Sequence, residues 1–237
     1  MKEQIQLTKK LFKYFSDEFK TDQNFMENFL IPHLGLNDEF LHEQPIELST
    51  YYGHGLGLKI WQYPHQISKY LILLNKYSKL IKSYAEIGCR NGGTFILHCE
   101  YLNHLSKAFA IDIIEETNTL KEYRSQTDYV QYMQANSQSD SFKDFISLNK
   151  FDLIFIDGDH SYDGVKSDAE ATRESCNIQV FHDIVNNACP GVGQYWGELK
   201  LNYNDTYDFY EFTDQYDSVD GTFLGIGVAI RKKWITI

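Results

Sequence analysis

Short apolar runs of strand length alternate with helix-length segments from about residue 82 onward. Such βαβ alternation predicts a mostly parallel sheet with helices on both of its faces. In a sheet of this kind, the ligand crevice lies beyond the carboxyl ends of the strands. The predicted strands are 83–87, 108–113, 129–133, 153–156 and 178–181, and the predicted helices between them are 93–104, 116–126, 138–148 and 163–175.

The tail of the chain has a different pattern. Residues 207–213 and 222–230 read as two consecutive strands, joined by the acidic loop 214–221. Consecutive strands joined by a short loop pair in the antiparallel direction. The pattern therefore predicts an α/β fold in which a seven-stranded, mostly parallel sheet is closed by a C-terminal antiparallel hairpin.

The N-terminal residues lie outside this alternation. Residues 3–30 repeat apolar side chains at steps of three and four, which predicts an amphipathic helix. Pro32 and the stretch 35–38 break that pattern. The helix either covers the core with its apolar face, or in addition contacts a second copy of the chain through its exposed face.

Glycines and aromatic side chains crowd the next segment, 51–66. Gly53, Gly55 and Gly57 predict a mobile or closely packed loop, which could form part of a lid over a ligand. A helix at about 66–79 then leads into the first strand. We therefore divide the chain into an N-terminal helical and lid region, 1–65, and a sheet domain, 66–237.

Charge and cysteine content narrow the function classes. The net charge of −11 argues against a nucleic-acid-binding surface, because such surfaces depend on clustered Lys and Arg. The four cysteines form no CxxC pair and fit reduced thiols. No apolar run approaches the roughly 18 residues of a membrane span, and the N-terminus lacks the apolar core of a secretory signal. We expect a cytoplasmic protein that binds neither nucleic acid nor membrane.

The first predicted strand runs into a loop that carries an acid and two glycines: Glu86, Gly88 and Gly92. Glycine lacks a Cβ and lets a ligand approach the backbone, and the amides of the following helix offer unpaired donors. Dinucleotide-binding loops space their glycines as G-x-G-x-x-G, without the leading acid. Taken alone, the loop is either a nucleoside-cofactor site or an ordinary strand–loop–helix turn.

Polar residues also follow the second and third predicted strands. Asp112 lies 26 residues after Glu86, where an acid can accept hydrogen bonds from both hydroxyls of a ribose. Alone, an aspartate at a strand end is more often a cap or a solvated turn. Asn136 and Ser137 follow the third strand and are candidates for the N-cap of the next helix.

The densest chemistry follows the fourth and fifth strands. The fourth ends in Asp157-Gly-Asp-His160, and the fifth ends in His182-Asp183. Neighbouring strands lie about 5 Å apart, so Asp157 can approach His182 and Asp183. Carboxylates and an imidazole in one place can hold a divalent cation. The alternative is that His182 and Asp183 cap the strand and bond to loop amides.

The spacing of Glu86, Gly88 and Gly92 resembles motif I of class I S-adenosylmethionine-dependent methyltransferases. With Asp112, the block 157–162 and His182-Asp183, the chain resembles one branch of that class. This branch contains macrolide-sugar O-methyltransferases and cephalosporin-hydroxylase-like proteins. The segments 61–64, 190–193 and 225–228 fit the same pattern, so the resemblance covers roughly residues 58–231.

The resemblance implies a Rossmann-like class I methyltransferase fold in 66–237 and roles for specific residues. Asp157 and His160 would be catalytic, with His160 as general base. A divalent metal, Mg or Mn, would bind Asp157, His182 and Asp183. Relatives often carry an acid in place of His182, and an imidazole shifts preference toward Mn, Fe or Zn. S-adenosylmethionine would bind Glu86, Gly88, Asn91, Gly92, Asp112, Ile113, Asn136 and Ser137, the last two at the adenine.

The resemblance implies methyl transfer to a hydroxyl of a small molecule, with a sugar or sugar nucleotide as the expected acceptor. The alternatives are a metal-independent methyltransferase, a hydroxylase-like enzyme on the same scaffold, and a non-catalytic cofactor-binding subunit. The N-terminal helical region is the candidate surface for a homo-oligomer. Aromatic residues of the tail either stack on a sugar ring or belong to the core, and they are Tyr195, Trp196, Tyr203 and Tyr207.

Overall fold

The computed structural model describes residues 1–14, 17–37, 57–217, 219 and 221–235. A seven-stranded sheet forms its centre, and the strand order across the sheet is 3-2-1-4-5-7-6. Strands 1 to 5 pair in parallel, and strand 7 pairs antiparallel with both strands 5 and 6. The predicted sheet with its antiparallel hairpin is thereby confirmed. The strands are β1 (Ser83–Ile87), β2 (Lys107–Asp112), β3 (Val130–Gln134), β4 (Phe151–Ile156), β5 (Cys176–His182), β6 (Tyr207–Phe212) and β7 (Ile226–Arg231).

Helices cover both faces of this sheet. The described helices are α1 (Lys2–Tyr14), α2 (Gln23–Phe25), α3 (Ile31–Leu34), α4 (Pro64–Asn75), α5 (Gly93–Tyr101), α6 (Asn118–Ser125), α7 (Asp140–Leu148), α8 (Tyr162–Arg173), α9 (Pro190–Tyr203) and α10 (Lys232–Ile235). None of these described helices has the length and apolar character that crossing a membrane requires.

Two differences from the predicted elements lie in the C-terminal part. The last strand begins at Ile226 rather than at 222, because Leu224 and Gly225 have φ angles of 57° and 97° that interrupt an extended strand. Helix α9 was not predicted, since its sequence carries three glycines, which are poor helix formers.

The predicted continuous helix over 3–30 is wrong. A turn separates α1 from a second helical stretch, in which Asp22 caps the amide of Phe25 at 3.0 Å and a π-helical turn, Met26–Leu30, joins α2 to α3. Pro32 does not end this stretch, because it lies at the start of α3, where a missing amide costs little.

The N-terminal helices are attached to the sheet domain. Lys9 Nζ donates to the carbonyl of Gln126 at 2.7 Å, and Lys20 Nζ donates to the carbonyl of Tyr101 at 3.1 Å. Ile5 and Phe12 are buried in the same hydrophobic cluster as one face of the sheet. The helix therefore covers the core, whereas a contact with a second copy stays a prediction.

A short parallel bridge pairs Leu36 with Ile60, and the neighbouring residues Asn37 and Lys59 lie at the carboxyl edge of the sheet. The amide of Asn37 donates to the carbonyl of Ile60 at 2.9 Å. Residues 51–56 of the predicted lid loop, with Gly53 and Gly55, lie outside the described residues. The division of the chain at residue 65 stays a prediction.

Alternate residues along the central strands pack into two hydrophobic clusters, one on each face of the sheet. Tyr84 and Leu153 belong to one cluster, and Ala85 and Ile154 belong to the other. Tyr195, Trp196 and Tyr207 are at most 4% exposed and lie in the second cluster. These aromatic residues are therefore core rather than a sugar platform.

Candidate active site

A cavity of about 500 Å³ opens at the carboxyl edge of the sheet, within the range typical of small-molecule sites. Because parallel strands end at one edge, side chains from distant parts of the sequence meet there. The predicted residues that line the cavity are Glu86, Gly88, Asn91, Asp112, Ile113, Asn136, Ser137, Asp157, His160, His182 and Asp183.

The glycine loop forms one wall of the cavity. Gly88 has a φ of 84°, and its amide donates to the carbonyl of Ile111 at 2.8 Å. A Cβ at Gly88 would lie 2.0 Å from the carbonyl oxygen of Asp157. Only glycine fits this position, because a side chain would collide with the end of β4.

Gly92 has a different role from the one predicted. It has a φ of 85°, lies at the N-cap of α5 and does not line the cavity. A Cβ there would lie 2.4 Å from Cδ2 of Leu120. Gly92 therefore lets the loop pack against α6, while Gly93 and Thr94 at the start of α5 line the cavity.

Glu86 is a buried acid at the base of the cavity, 1% exposed. The Tyr84 hydroxyl donates to its Oε2. Burial raises the pKa of Glu86 to about 8, although the hydrogen bond from Tyr84 opposes this shift. His98 lies 4.0 Å from the same oxygen, but burial lowers its pKa to about 4, so this ring is neutral at pH 7. Glu86 is therefore mostly protonated near neutral pH.

Asp112 is held in place by backbone amides. Its Oδ2 accepts from the amide of Arg90 at 2.6 Å, and its Oδ1 accepts from the amide of Ile114 at 3.2 Å. A carboxylate oxygen has a second lone pair, so Asp112 can still accept from a ligand. Ile113 beside it is 64% exposed and offers an apolar surface at the rim.

The loop after β3 contributes Asn136 and Ser137 to the cavity wall. The N-cap of α7 is Ser139, whose hydroxyl accepts from the amide of Phe142 at 3.3 Å. The expectation that Asn136 or Ser137 caps this helix is therefore wrong. Asn136 instead accepts from the amide of Gln138 at 2.9 Å, which shapes the loop ahead of the helix.

Two imidazole rings lie within hydrogen-bond distance of the Asp157 carboxylate. The parallel pairing of Ile156 with Phe181 sets Asp157 beside His182. His182 Nδ1 lies 3.0 Å from Asp157 Oδ1, and His160 Nε2 lies 3.2 Å from the same oxygen. The predicted approach of these side chains is therefore present.

Asp183 follows His182 with a φ of 65°, a left-handed conformation that is uncommon outside glycine. Its Oδ2 lies 3.5 Å from His182 Nδ1 and 3.2 Å from His160 Nδ1. Its Oδ1 accepts from Asn186 Nδ2 at 2.8 Å. Asn186 therefore fixes the carboxylate so that one oxygen faces both imidazoles.

Lys59 and Arg90 also have positive φ angles, 56° and 44°. Both line the cavity, as does Asp183. Among the described non-glycine residues with positive φ, only Leu224 lies elsewhere. Backbone strain is thus concentrated at the cavity, as it often is at functional sites.

These charged groups shift one another's pKa. Burial alone would raise the pKa of Asp157, but His182 and His160 outweigh it and lower the pKa to about 2. Burial alone would lower the pKa of His182, but Asp157 and Asp183 raise it to about 9. The hydrogen bond to Asp157 raises the pKa of His160. Without a metal, His182 is therefore a cation between two carboxylates at pH 7.

The residues present fit a divalent metal. Ligand atoms of Asp157, His182 and Asp183 all lie within 4.8 Å of one another. The separations of 3.0 and 3.5 Å from His182 Nδ1 are those of ligands around an ion with bonds of about 2.0–2.2 Å. Asn186 donates a hydrogen bond to Asp183 Oδ1, and a hydrogen bond of this kind orients a carboxylate that binds a metal.

Several lining residues were not predicted from the sequence. Asn37, Lys59 and Trp61 reach the cavity from the N-terminal region, and Arg90 Cζ lies 4.8 Å from the centroid of the Trp61 ring. The resemblance of the segment 61–64 to the family pattern was the signal that could have found Trp61. Nothing in the sequence pattern marks Asn37.

The sequence and the fold are similar to known methyltransferases. A family described as a methyltransferase domain matches residues 85–184. No curated protein matches the sequence. The structure is similar to MycE methyltransferase from the mycinamycin biosynthetic pathway in complex with Mg and SAH, with a TM-score of 0.52 and 13% identity over 76% of this chain and 49% of that chain.

Two other structures extend this similarity. MycE in complex with Mg, SAH and mycinamycin VI has a TM-score of 0.50 and 15% identity, over 74% of this chain and 51% of that chain. A putative caffeoyl-CoA O-methyltransferase from Staphylococcus aureus has a TM-score of 0.49 and 15% identity, over 73% and 84% of the two chains. The chain spans about half the length of the MycE chains. The chain therefore carries a methyltransferase domain over residues 85–184 and shares the Rossmann-like fold of MycE.

Proposed function

We propose that this chain is an enzyme that transfers the methyl group of S-adenosylmethionine to a hydroxyl of a small molecule, and that the acceptor contains a sugar, such as a sugar nucleotide. The observation that carries this proposal is the position of His160. Its side chain is 37% exposed in the cavity and lies within 3.2 Å of both Asp157 and Asp183. An imidazole oriented by carboxylates is the usual base for deprotonating a hydroxyl near neutral pH.

One half of the cavity would bind the methyl donor, and the other half would bind the acceptor. The glycine loop, Asp112 and the loop after β3 would hold the donor, with Asp112 at the ribose and Asn136 and Ser137 at the adenine. The ends of β4 and β5 would hold the acceptor. Methyl transfer is an in-line displacement, so holding donor and acceptor in one geometry supplies much of the acceleration.

His160 would accept the hydroxyl proton at Nδ1. With its other nitrogen donating to Asp157 Oδ1 at 3.2 Å, the neutral ring keeps a lone pair on Nδ1. Asp183 Oδ2, 3.2 Å from Nδ1, would stabilise the imidazolium that forms. Both carboxylates therefore favour the direction of proton transfer.

Asp157, His182 and Asp183 would hold a divalent metal. When bound, such an ion lowers the pKa of a hydroxyl and fixes its position. An imidazole in the set favours Mn, Fe or Zn over Mg, although MycE, which shares the fold, binds Mg. Asn186 would keep Asp183 Oδ2 directed at the ion.

A metal-independent reaction is the second candidate, and the pKa of His182 favours it. With a pKa raised to about 9, His182 already places a positive charge between Asp157 and Asp183. Asp157 would then bind the acceptor and His160 would act without a metal. A chelator distinguishes the two candidates, because it abolishes only a reaction that requires a metal.

The test is a methyl-transfer assay with S-adenosylmethionine and a panel of sugar nucleotides and glycosides, read by mass spectrometry. The proposal expects a product heavier by one CH₂ group. A product heavier by one oxygen atom would instead indicate a hydroxylase, and cofactor binding without any product across the panel would indicate a binding subunit. Activity that survives exhaustive chelation would favour the metal-independent reaction.

The remaining expectations belong to the same proposal. The net charge of −11 supports a small-molecule acceptor rather than a nucleic acid. The four free cysteines support a cytoplasmic location. Self-association through the N-terminal helical region is testable by light scattering of the full chain.

A further inference from the structure

The thiol of Cys189 lies beside the residues proposed to bind metal. Its Sγ is 3.2 Å from His160 Nδ1 and 3.6 Å from Asp183 Oδ2. His160 Nδ1 and Asp183 Oδ2 are themselves 3.2 Å apart. Of the four cysteines, Cys189 alone is partly exposed, and the other three are buried.

The three distances match the separations between neighbouring ligand atoms, the edges, of a tetrahedral metal site. Around an ion with bonds of about 2.0 Å to N and O and about 2.3 Å to S, the N–O edge is about 3.3 Å and each edge to sulfur is about 3.5 Å. The observed edges of 3.2, 3.2 and 3.6 Å agree with these values to within about 0.3 Å. A fourth position stays open toward the cavity, since His160 lines it.

The loop that carries these ligands is fixed by Asn186. The Asn186 side chain donates to Asp183 Oδ1 at 2.8 Å, and the Asn186 carbonyl accepts from the amide of Cys189 at 2.9 Å. Pro190 then starts α9 directly after the cysteine. One residue therefore positions both the carboxylate and the thiol.

We infer that His160, Asp183 and Cys189 form a second metal position, which takes a zinc-like divalent ion rather than magnesium. A thiolate is a soft ligand that zinc and cobalt accept and that magnesium does not. This position shares Asp183 with the set proposed above and adds His160. Its functional consequence rests on the proposed function, because an ion there coordinates Nδ1 of His160, the atom proposed to accept the proton. Zinc at this position therefore switches methyl transfer off.

Binding requires that the thiol lose its proton to solvent as the metal–sulfur bond forms. Burial and Asp183 raise the pKa of Cys189 to about 12, so the metal-free thiol is protonated at neutral pH. The Cys189 thiol releases its proton when the ion binds at this position, so the affinity for zinc rises with pH.

Cobalt(II) is the probe for the test, because a cobalt–thiolate bond absorbs strongly in the near ultraviolet. The full chain, freed of metal, is titrated with cobalt(II). We expect a charge-transfer band that saturates at one ion per chain. The band should disappear in Cys189→Ser and persist in Cys176→Ala, whose buried cysteine lies at the opposite end of β5. Circular dichroism establishes that each variant is folded.

Two results would overturn the inference: cobalt that binds without a thiolate band, or a band that survives in Cys189→Ser. Neither measurement requires methyl transfer, so the inference and the proposed function fail separately. A cobalt–thiolate band in a protein that gives no methyl-transfer product would contradict the proposed function but not the metal position. Where transfer is active, zinc should inhibit the native chain at least ten times more strongly than Cys189→Ser, each relative to its own rate without zinc.

Discussion

A Cβ atom at Gly88 would lie 2.0 Å from the carbonyl oxygen of Asp157. The glycine loop therefore packs directly against Asp157, the first residue of the proposed acceptor half of the site. This contact joins the two halves of the cavity, because a shift of the loop would push on the end of β4. In the proposed mechanism, backbone contacts rather than side chains would therefore set the separation between donor and acceptor.

Replacing Gly88 by alanine should displace the loop and weaken cofactor binding strongly. The new methyl group overlaps the Asp157 carbonyl, and a left-handed φ adds about 1–2 kcal/mol of strain. We expect a lower melting temperature and a loss of S-adenosylhomocysteine binding by calorimetry. Gly197→Ala is the matched control. It lies inside α9 with nothing within 4 Å of a new Cβ, and it should be neutral or stabilising by up to about 1 kcal/mol.

Replacing His160 by alanine should lower the rate of methyl transfer by about 10²–10⁴ while cofactor affinity stays unchanged. The reason is that the proposed role of the ring is to accept the proton of the acceptor hydroxyl, without contact to the donor. Steady-state rates together with calorimetry for S-adenosylhomocysteine separate the two effects. His104→Ala, at an exposed position in the turn before β2, serves as the control. Undiminished turnover in His160→Ala would remove His160 from the mechanism.

Replacing Asn186 by alanine should weaken divalent-metal binding by about 10–100-fold, since it removes the hydrogen bond that orients Asp183. Calorimetric titration with manganese measures the change. Cofactor binding should be retained, because Asn186 does not line the cavity. The exposed Asn202→Ala should bind metal as the native chain does. Equal affinities in both variants would show that Asp183 needs no such support.

Stability of the metal-free protein should fall as the pH rises from about 6.5 to about 9. The raised pKa of His182 stabilises the fold fully below 6.5, and this contribution is lost as the pH passes through about 9. The raised pKa of Glu86 adds a similar loss between 4.5 and about 8. The lowered pKa of Asp157 contributes stability that is present above 3.8 and lost as the pH falls through about 2.

Melting temperatures with a chelator present, measured from pH 6 to 9.5, test this dependence. His182→Gln should show a shallower fall than the native chain, and the difference should be clearest above pH 8, where Glu86 no longer titrates. An identical slope in both proteins would mean that His182 carries no charge in the folded state.

The sheet and the meeting of polar residues at its edge could be predicted from the sequence. Parallel strands end at one edge, so residues at or just after strand ends, such as Asp112, Asp157 and His182, must lie near one another. The required information is local: an apolar run and the polar residue after it. For the same reason, the centres of the predicted strands agree with the structure more closely than their ends do.

Contacts set by the path of the chain could not be predicted. Asn37 and Lys59 reach the cavity through a bridge between Leu36 and Ile60, for which neither segment has a pattern of its own. Cys189 arrives through a turn held by Asn186, six residues beyond the nearest predicted ligand. Ser139 caps α7 in place of Asn136 because the loop continues for three more residues.

The left-handed backbone of Lys59, Arg90 and Asp183 has a consequence for protein engineering. Each residue occupies a conformation that glycine would adopt without strain, so replacement by glycine would relieve local strain. The same replacements would remove side chains from the cavity wall. Engineering for thermal stability alone would therefore favour glycine at these three positions. The positions should be excluded from such engineering if activity is to be retained.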